Sequence, residues 1–374
     1  MTRILSEGVA ALVERCHKEV DEGLLPSCQV ALALDGEVVE LQTIGKVPAG
    51  DDTRYVAFSA SKAIVSAAVL QMLGEGSLKL GDRVGDLIPE FATNGKEEVT
   101  VEHVLTHTSG FPTAPMLPPD WWTRDGRLAK FSQWRLTSQP GQEYQYHITS
   151  AHWVLAELLE RVDGVDHREV IRRRIAEPLG LTKFSLGAAE LDQADIAEVE
   201  LVGEEATASE LEATLGISHI DRGEVTDEAL AAFARPDVLA LGVPGGGLVC
   251  NAGDFARFYQ GVLHNPGELW DSEVLGDATT NVRINGFDAI RWAPAGRTLA
   301  FMLAGSDGHA AARGFGHTTG PHAFGQDGMG GQIGFVDPET GLSFTYLTNG
   351  LDRHLLRQQR RRVSVANRVA GCVA

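Results

Sequence analysis

Cysteine is scarce in this chain of 374 residues: there are four, at Cys16, Cys28, Cys250 and Cys372. No two form a Cys-x-x-Cys pair and no His-Glu-x-x-His occurs, so the spacings that hold a metal are missing. Scattered thiols in so long a chain read as small buried hydrophobes of a reducing compartment. Positive charge is also short. Lys plus Arg number 32 against 51 Asp plus Glu, a formal charge of −19. Such a surface repels phosphate backbones and anionic lipid, which argues against nucleic-acid and membrane-surface partners. No apolar stretch reaches the roughly 18 residues that a bilayer crossing needs. Met1 to Val20 has an amphipathic helix pattern interrupted by Glu7, Glu14, Arg15 and Lys18, without the apolar run of a signal peptide. A soluble, cytoplasmic protein is expected.

What is present has the balance of a globular chain, 43% hydrophobic and 22% charged, long enough for a large core or two sub-domains. Two hairpins stand out. Gln29 to Leu34 and Glu37 to Leu41 flank Asp35-Gly36, a dipeptide suited to the positive φ of a tight turn. Gly331 to Val336 and Leu342 to Thr348 flank a longer turn, Asp337 to Gly341. Between the ends the periodic segments are helical, as in Ala151 to Val162 and Arg168 to Ile175. The pattern predicts a mixed domain built from 1–85 and 237–374, with a mainly helical insertion over 86–236. A last helix, from about Arg353 to Val369, carries Arg357, Arg360, Arg361 and Arg362; it reads as a solvated face favoured by the helix dipole.

The chemistry-bearing pattern begins at Ser59. Ala60 to Gly74 is a helix pattern apolar on nearly every face, which marks a buried helix. Ser59 stands at its start, where the dipole favours negative charge on the hydroxyl oxygen. Lys62 lies one turn on and shares its face. A lysine on a buried helix is costly without a chemical partner. Alone, Ser59 reads first as an N-cap. The Gly-x-Ser-x-Gly elbow of another hydrolase class is absent. A serine nucleophile needs a base, and Tyr146 in Pro140-Gly141-Gln142-Glu143-Tyr144-Gln145-Tyr146-His147-Ile148 fits, because a neighbouring ammonium lowers a phenol's pKa. The glycines of Phe324-Gly325-Gln326-Asp327-Gly328-Met329-Gly330-Gly331 let a strand approach closely. The Met329 N–H can then join the Ser59 N–H as an oxyanion hole.

Taken together these segments resemble the serine β-lactamase-like hydrolases: class C β-lactamases, penicillin-binding DD-peptidases, family VIII carboxylesterases and related acyltransferases. The resemblance covers most of the chain. It rests on Phe58-Ser59-Ala60-Ser61-Lys62, Gly81-Asp82-Arg83-Val84 with Leu87-Ile88-Pro89, and Val104-Leu105-Thr106-His107-Thr108-Ser109-Gly110. It continues through Pro140-Gly141 to Tyr146, Pro244-Gly245-Gly246-Gly247, and Phe335-Val336-Asp337-Pro338 to Leu347-Thr348-Asn349. It implies an α+β fold, an antiparallel sheet flanked by helices beside a helical domain, with the site between them. It further implies Ser59 as nucleophile, Lys62 as activating base or proton shuttle, Tyr146 as general base and acid, and no cofactor.

Two departures bear on substrate. The family's second motif usually ends in Asn, and here Ile148 stands there, as in many family VIII esterases. Its third motif usually begins with Lys or His, and here it is Gln326-Asp327-Gly328. A neutral Gln beside a carboxylate predicts a neutral small-molecule ester and no carboxylate-bearing lactam. Trp121 and Trp122, in the proline-rich loop Phe111 to Trp122, can form an apolar wall over the cleft or pack a crossover loop. His103 and His107 read as scaffold near the cleft. Rival readings are an acyltransferase on the same acyl-enzyme, a β-lactamase or peptidase, and a scaffold that has lost turnover. Oligomeric state is not legible.

Overall fold

Asp35 and Gly36 both take positive φ, 52° and 85°, and fold strand β1 (Ser27–Leu34) back on β2 (Glu37–Gly45). The structure, a computed structural model, describes residues 2–220 and 225–374. Four more strands complete the sheet: β3 (Met302–Leu303), β4 (Phe324–Asp327), β5 (Ile333–Asp337) and β6 (Leu342–Thr348). The order is β2-β1-β6-β5-β4-β3, every neighbour antiparallel. Both chain ends thus meet at the β1–β6 pairing, with Val30 opposite Tyr346.

Strand alternation decides what covers each face. Val30 and Leu32 join Phe335, Phe344 and Tyr346 in a core shared with Leu12 and Cys16 of helix α1 (Ser6–Asp21). Ala31 and Ala33 point the other way, and their small side chains admit a helix over Ala252–His264 with Phe255 and Tyr259. Ser343 and Thr345 donate to that helix's carbonyls at Ala256 (2.9 Å) and Ala252 (2.6 Å). Helix α2 (Ser61–Gly74) is buried from Ser61 to Met72, so its all-round apolar pattern is that of a core helix. All four cysteines are buried and free. Among the described residues no helix is long and apolar enough to cross a membrane.

Short strands tie the 86–236 segment to the terminal portion. Phe184–Leu186 pairs with Leu248–Cys250, which also pairs with Tyr55–Val56. Glu200–Val202 pairs in parallel with Gly350–Asp352. The later half of the insertion therefore rejoins the terminal portion. One apolar core also runs from Ala31 through α2 to Phe111, Trp153 and Phe255. Three-residue strands leave too little alternation to be read from sequence.

The last helix is α3 (Leu355–Ala366), and its arginines are not all solvated. Arg361 is 1% exposed and Arg362 8%, while Arg360 is exposed. Arg361 pairs with Glu19 of α1 at 2.8 Å and with Asp352 at 2.7 Å. Arg362 pairs with Asp327 at the end of β4. A basic cluster in sequence shows the charges but not the buried carboxylates that wait for them.

Candidate active site

The chain enters α2 through a strained turn. Phe58 has φ 46°, the left-handed region that non-glycine residues rarely adopt. Ser61 holds the turn: its hydroxyl donates to the Phe58 carbonyl and accepts the Leu248 N–H at 2.8 Å. Ser61, unremarkable in sequence, thus ties the turn to the Leu248–Cys250 strand. Ser59 is half-buried beside it, two residues before the first helical residue, with Ala60 between them at the cap position.

Lys62 is 2% exposed. Its ammonium donates to Ser59 Oγ at 3.2 Å and to the Gly245 carbonyl at 2.8 Å. Burial pushes its pKa below the usual lysine range; Tyr146 opposes that shift, and Arg297 and Arg291 add to it. A Cβ on Gly245 would stand 3.2 Å from the Ile148 carbonyl oxygen and 3.4 Å from Lys62 Nζ. The glycine run therefore lets 244–247 close over the lysine, with Ile148 alongside.

Tyr146 brings its ring to 5.0 Å from Lys62 Nζ. Its hydroxyl is buried with no well-formed hydrogen bond among the described residues. His107 stacks on the ring, centroids 4.9 Å apart, and its Nδ1 accepts the His147 N–H at 3.0 Å. Burial holds His107 well below its usual pKa, so the ring is a neutral platform. His103 serves a capping box: its Nδ1 accepts the Thr100 N–H at 3.2 Å. Burial raises the Tyr146 phenol, but Lys62, Arg297, Arg291 and the nearby Ser59 hydroxyl outweigh it, and the net direction is down.

Gln326 and Asp327 end β4, both buried. The expectation that this position lacks a cation and carries a repelling carboxylate is overturned. Arg291 and Arg362 both pair with Asp327, and Arg297 Nη1 donates to Gln326 Oε1 at 3.3 Å. Burial alone raises the Asp327 carboxyl, and the two guanidiniums more than reverse it. Sequence does not mark these arginines as site residues, because nothing in Arg291 to Arg297 forms a motif. Gly328 acts by absence: a Cβ there would lie 2.3 Å from the Ala57 carbonyl oxygen. The missing side chain thus lets the end of β4 abut the residues before Ser59. Met329 follows, packed on the Val56 and Phe58 cluster.

Ser59, Lys62, Tyr146, Gln326, Gly328, Met329 and the Ile148 carbonyl are thereby gathered in one region. Trp121 and Trp122 are not. Trp121 is packed in the core. Trp122 lines a cavity of about 500 Å³ with Arg124, Arg127, Glu160, His167 and Asp237, none of which belongs to the Ser59 region. The two tryptophan rings pack edge to face, centroids 5.5 Å apart, at the turn over Asp120–Trp122 that leads into the Arg124–Gln133 helix.

A serine and a lysine on one helical turn, faced by a tyrosine with a buried hydroxyl, are the groups that a serine hydrolase of this class needs. The match to the Beta-lactamase family model over residues 9–367 places the chain in that family. Its relatives include esterase EstB of Burkholderia gladioli, 27% identical with 91% of each chain covered. Esterase/beta-lactamase LipL of Mycobacterium tuberculosis (strain ATCC 25618 / H37Rv) is 27% identical, covering 86% of this chain and 76% of the relative. The crystal structure of a penicillin-binding protein homolog from Caulobacter crescentus superimposes with a TM-score of 0.79 at 25% identity, covering all of both chains. A family VIII carboxylesterase structure gives 0.75 at 22%, covering 98% of this chain and 99% of that one. The fold is the β-lactamase and penicillin-binding protein fold.

Proposed function

We propose that the protein hydrolyses an uncharged, small-molecule carboxylic ester through a covalent acyl-enzyme on Ser59. The observation that carries this reading is the Lys62 ammonium 3.2 Å from Ser59 Oγ, with the Tyr146 ring beside it. Tyr146 takes the Ser59 hydroxyl proton as Oγ bonds to the ester carbonyl carbon. The carbonyl π pair moves onto oxygen, which the Ser59 and Met329 N–H groups stabilise. Collapse re-forms the carbonyl and breaks the bond to the alkoxy oxygen. That oxygen takes the proton from Tyr146 and leaves as the alcohol. Water repeats the sequence, giving the acid and restoring the Ser59 hydroxyl. Lys62 holds Oγ in place and passes protons between it and Tyr146.

An uncharged substrate is supported by the carboxylates that Arg291 and Arg362 already face. Asp327 and Asp288 occupy Arg291 and Arg362, and Ile148 and Gln326 are neutral. The names of the relatives EstB and LipL accord with ester chemistry. The four free thiols accord with a reducing compartment, and we place the enzyme's action in the cytoplasm. A fluorophosphonate is expected to label the wild type at Ser59 and to leave Ser59→Ala unlabelled. A short p-nitrophenyl ester should be turned over with a higher kcat/KM than a cephalosporin; the opposite order would overturn the substrate reading.

A further inference from the structure

The segment 284–297 folds a small hairpin, Phe287–Asp288 on Ala293–Pro294, against the site. It sends two guanidiniums to one phenol. The Arg297 carbon Cζ lies 5.1 Å and the Arg291 Cζ 5.4 Å from the Tyr146 ring centroid, close to the 5.0 Å of Lys62 Nζ. Three cations therefore crowd a tyrosine whose buried hydroxyl makes no well-formed hydrogen bond among the described residues. Burying cations together is unfavourable unless something negative stands among them.

The nearby carboxylates do not supply all of it. Arg291 pairs with Asp288 and Asp327, and Arg362 with Asp327. Arg297, 4% exposed, forms no ion pair among the described residues. Its Nε donates to Tyr144 Oη at 3.1 Å and its Nη1 to Gln326 Oε1 at 3.3 Å, both neutral acceptors, and its Nη2 is buried without a partner. Three arginines thus face two carboxylates, before Lys62 is considered. The other elements packed here add no negative charge: His107 lies on the Tyr146 ring, and His152 from the Ser150–Asp163 helix is tilted against His107 at 5.8 Å. Burial holds both imidazoles neutral.

We propose that Arg297, with Arg291 behind it, is a positioning residue that keeps Tyr146 as a phenolate in the resting enzyme, supplying from the 291–297 segment the positive charge that Gln326 does not carry. The proposal rests on the reading of Tyr146 as the general base. It makes the resting base ready to accept the Ser59 proton, and it leaves the unmatched guanidinium satisfied without a substrate anion.

The chain is suited to a direct test, because its tyrosines separate. Burial pushes Tyr55, Tyr259 and Tyr346 upward, and Tyr144 to about 12; only Tyr146 moves down. The ultraviolet absorbance of tyrosinate, followed against pH in the Ser59→Ala protein, should show one tyrosine ionised near neutrality and absent in Ser59→Ala/Tyr146→Phe. Adding Arg297→Gln should raise that midpoint by about one unit or more, and Arg297→Lys should restore most of the shift. A role in packing alone would lower the melting temperature of both variants and leave the midpoint in place. In the Ser59 enzyme, the acid limb of kcat/KM for the ester should move with the absorbance midpoint. A wild-type midpoint near the ordinary phenol value, or one unmoved in a folded Arg297→Gln protein, overturns the proposal even if esters are cleaved. A low midpoint that moves with Arg297, in a protein that cleaves no ester, keeps the charge arrangement and removes the esterase reading instead.

Discussion

The two walls of the site are built in opposite ways. The nucleophile wall is local: Ser59 and Lys62 stand three residues apart, one helical turn joins them, and their 3.2 Å contact follows almost from helix geometry. The base wall is assembled from afar. Tyr146 meets His107 from one loop, Arg291 and Arg297 from a hairpin, and Gln326 and Asp327 from β4; Arg362 of the last helix braces Asp327. A local wall keeps its geometry through any change elsewhere that keeps the helix. A long-range wall depends on the balance of buried charge, and one altered residue unsettles several. In the proposed mechanism the first wall sets which atom attacks, and the second tunes the proton transfer that lets it attack.

The local wall should fail in activity and not in folding. Ser59→Ala is expected to lower ester kcat by about 10⁶-fold, with an unchanged thermal melt; residual turnover within tenfold of wild type would place the nucleophile elsewhere. On the base wall, Tyr146→Phe should lose about 10²- to 10⁴-fold in kcat. Above the Tyr146 midpoint it also removes the anion proposed to stand among Lys62, Arg291 and Arg297, so urea denaturation should show a loss of about 3–5 kcal/mol. The pH profile sharpens this. A base must be unprotonated to act, so kcat/KM falls as pH drops through the Tyr146 pKa, and its lowered pKa puts that limb below the ordinary phenol range.

The long-range wall should fail in folding. Asp327→Asn leaves Arg291 and Arg362 facing one another across a lost carboxylate, and breaking such buried pairs costs about 3–5 kcal/mol, measurable by urea denaturation. A stable Asp327→Asn protein would erase the contrast between the walls. The smallest effect is expected two residues from Arg362. Arg360 is exposed, and Arg360→Ala should stay within about 0.5 kcal/mol of wild type in the same measurement.

Much of the fold and of the site is legible in the amino-acid order. The Asp35-Gly36 turn, both hairpins, the core helix after Ser59 and the gathering of Ser59, Lys62, Tyr146 and Gly328 can be read there, because each rests on a short-range rule or a spaced motif. Other features cannot. The strands Phe184–Leu186 and Glu200–Val202 are too short for a period to show, so their pairing with Leu248–Cys250 and Gly350–Asp352 in two small sheets is not legible. Trp121 and Trp122 carry the right chemistry for a cleft wall, but their rings pack edge to face on one another, Trp121 in the core and Trp122 at a separate cavity. Arg361 and Arg362 read as solvated because sequence gives no view of Glu19, Asp352 and Asp327.

By itself, then, the sequence determined the sheet's two hairpins, the buried helix and the serine and lysine at its start. Periodicity, turn chemistry and helical spacing act over a few residues and leave their mark there. Only the tertiary structure decided the electrostatics of the base. Gln326-Asp327 reads as a site without a cation, yet folding brings Arg291, Arg297 and Arg362 to it from 29 to 36 residues away in the chain. Charge interactions act through space, and in a buried site what lies opposite a residue matters more than what lies beside it in sequence.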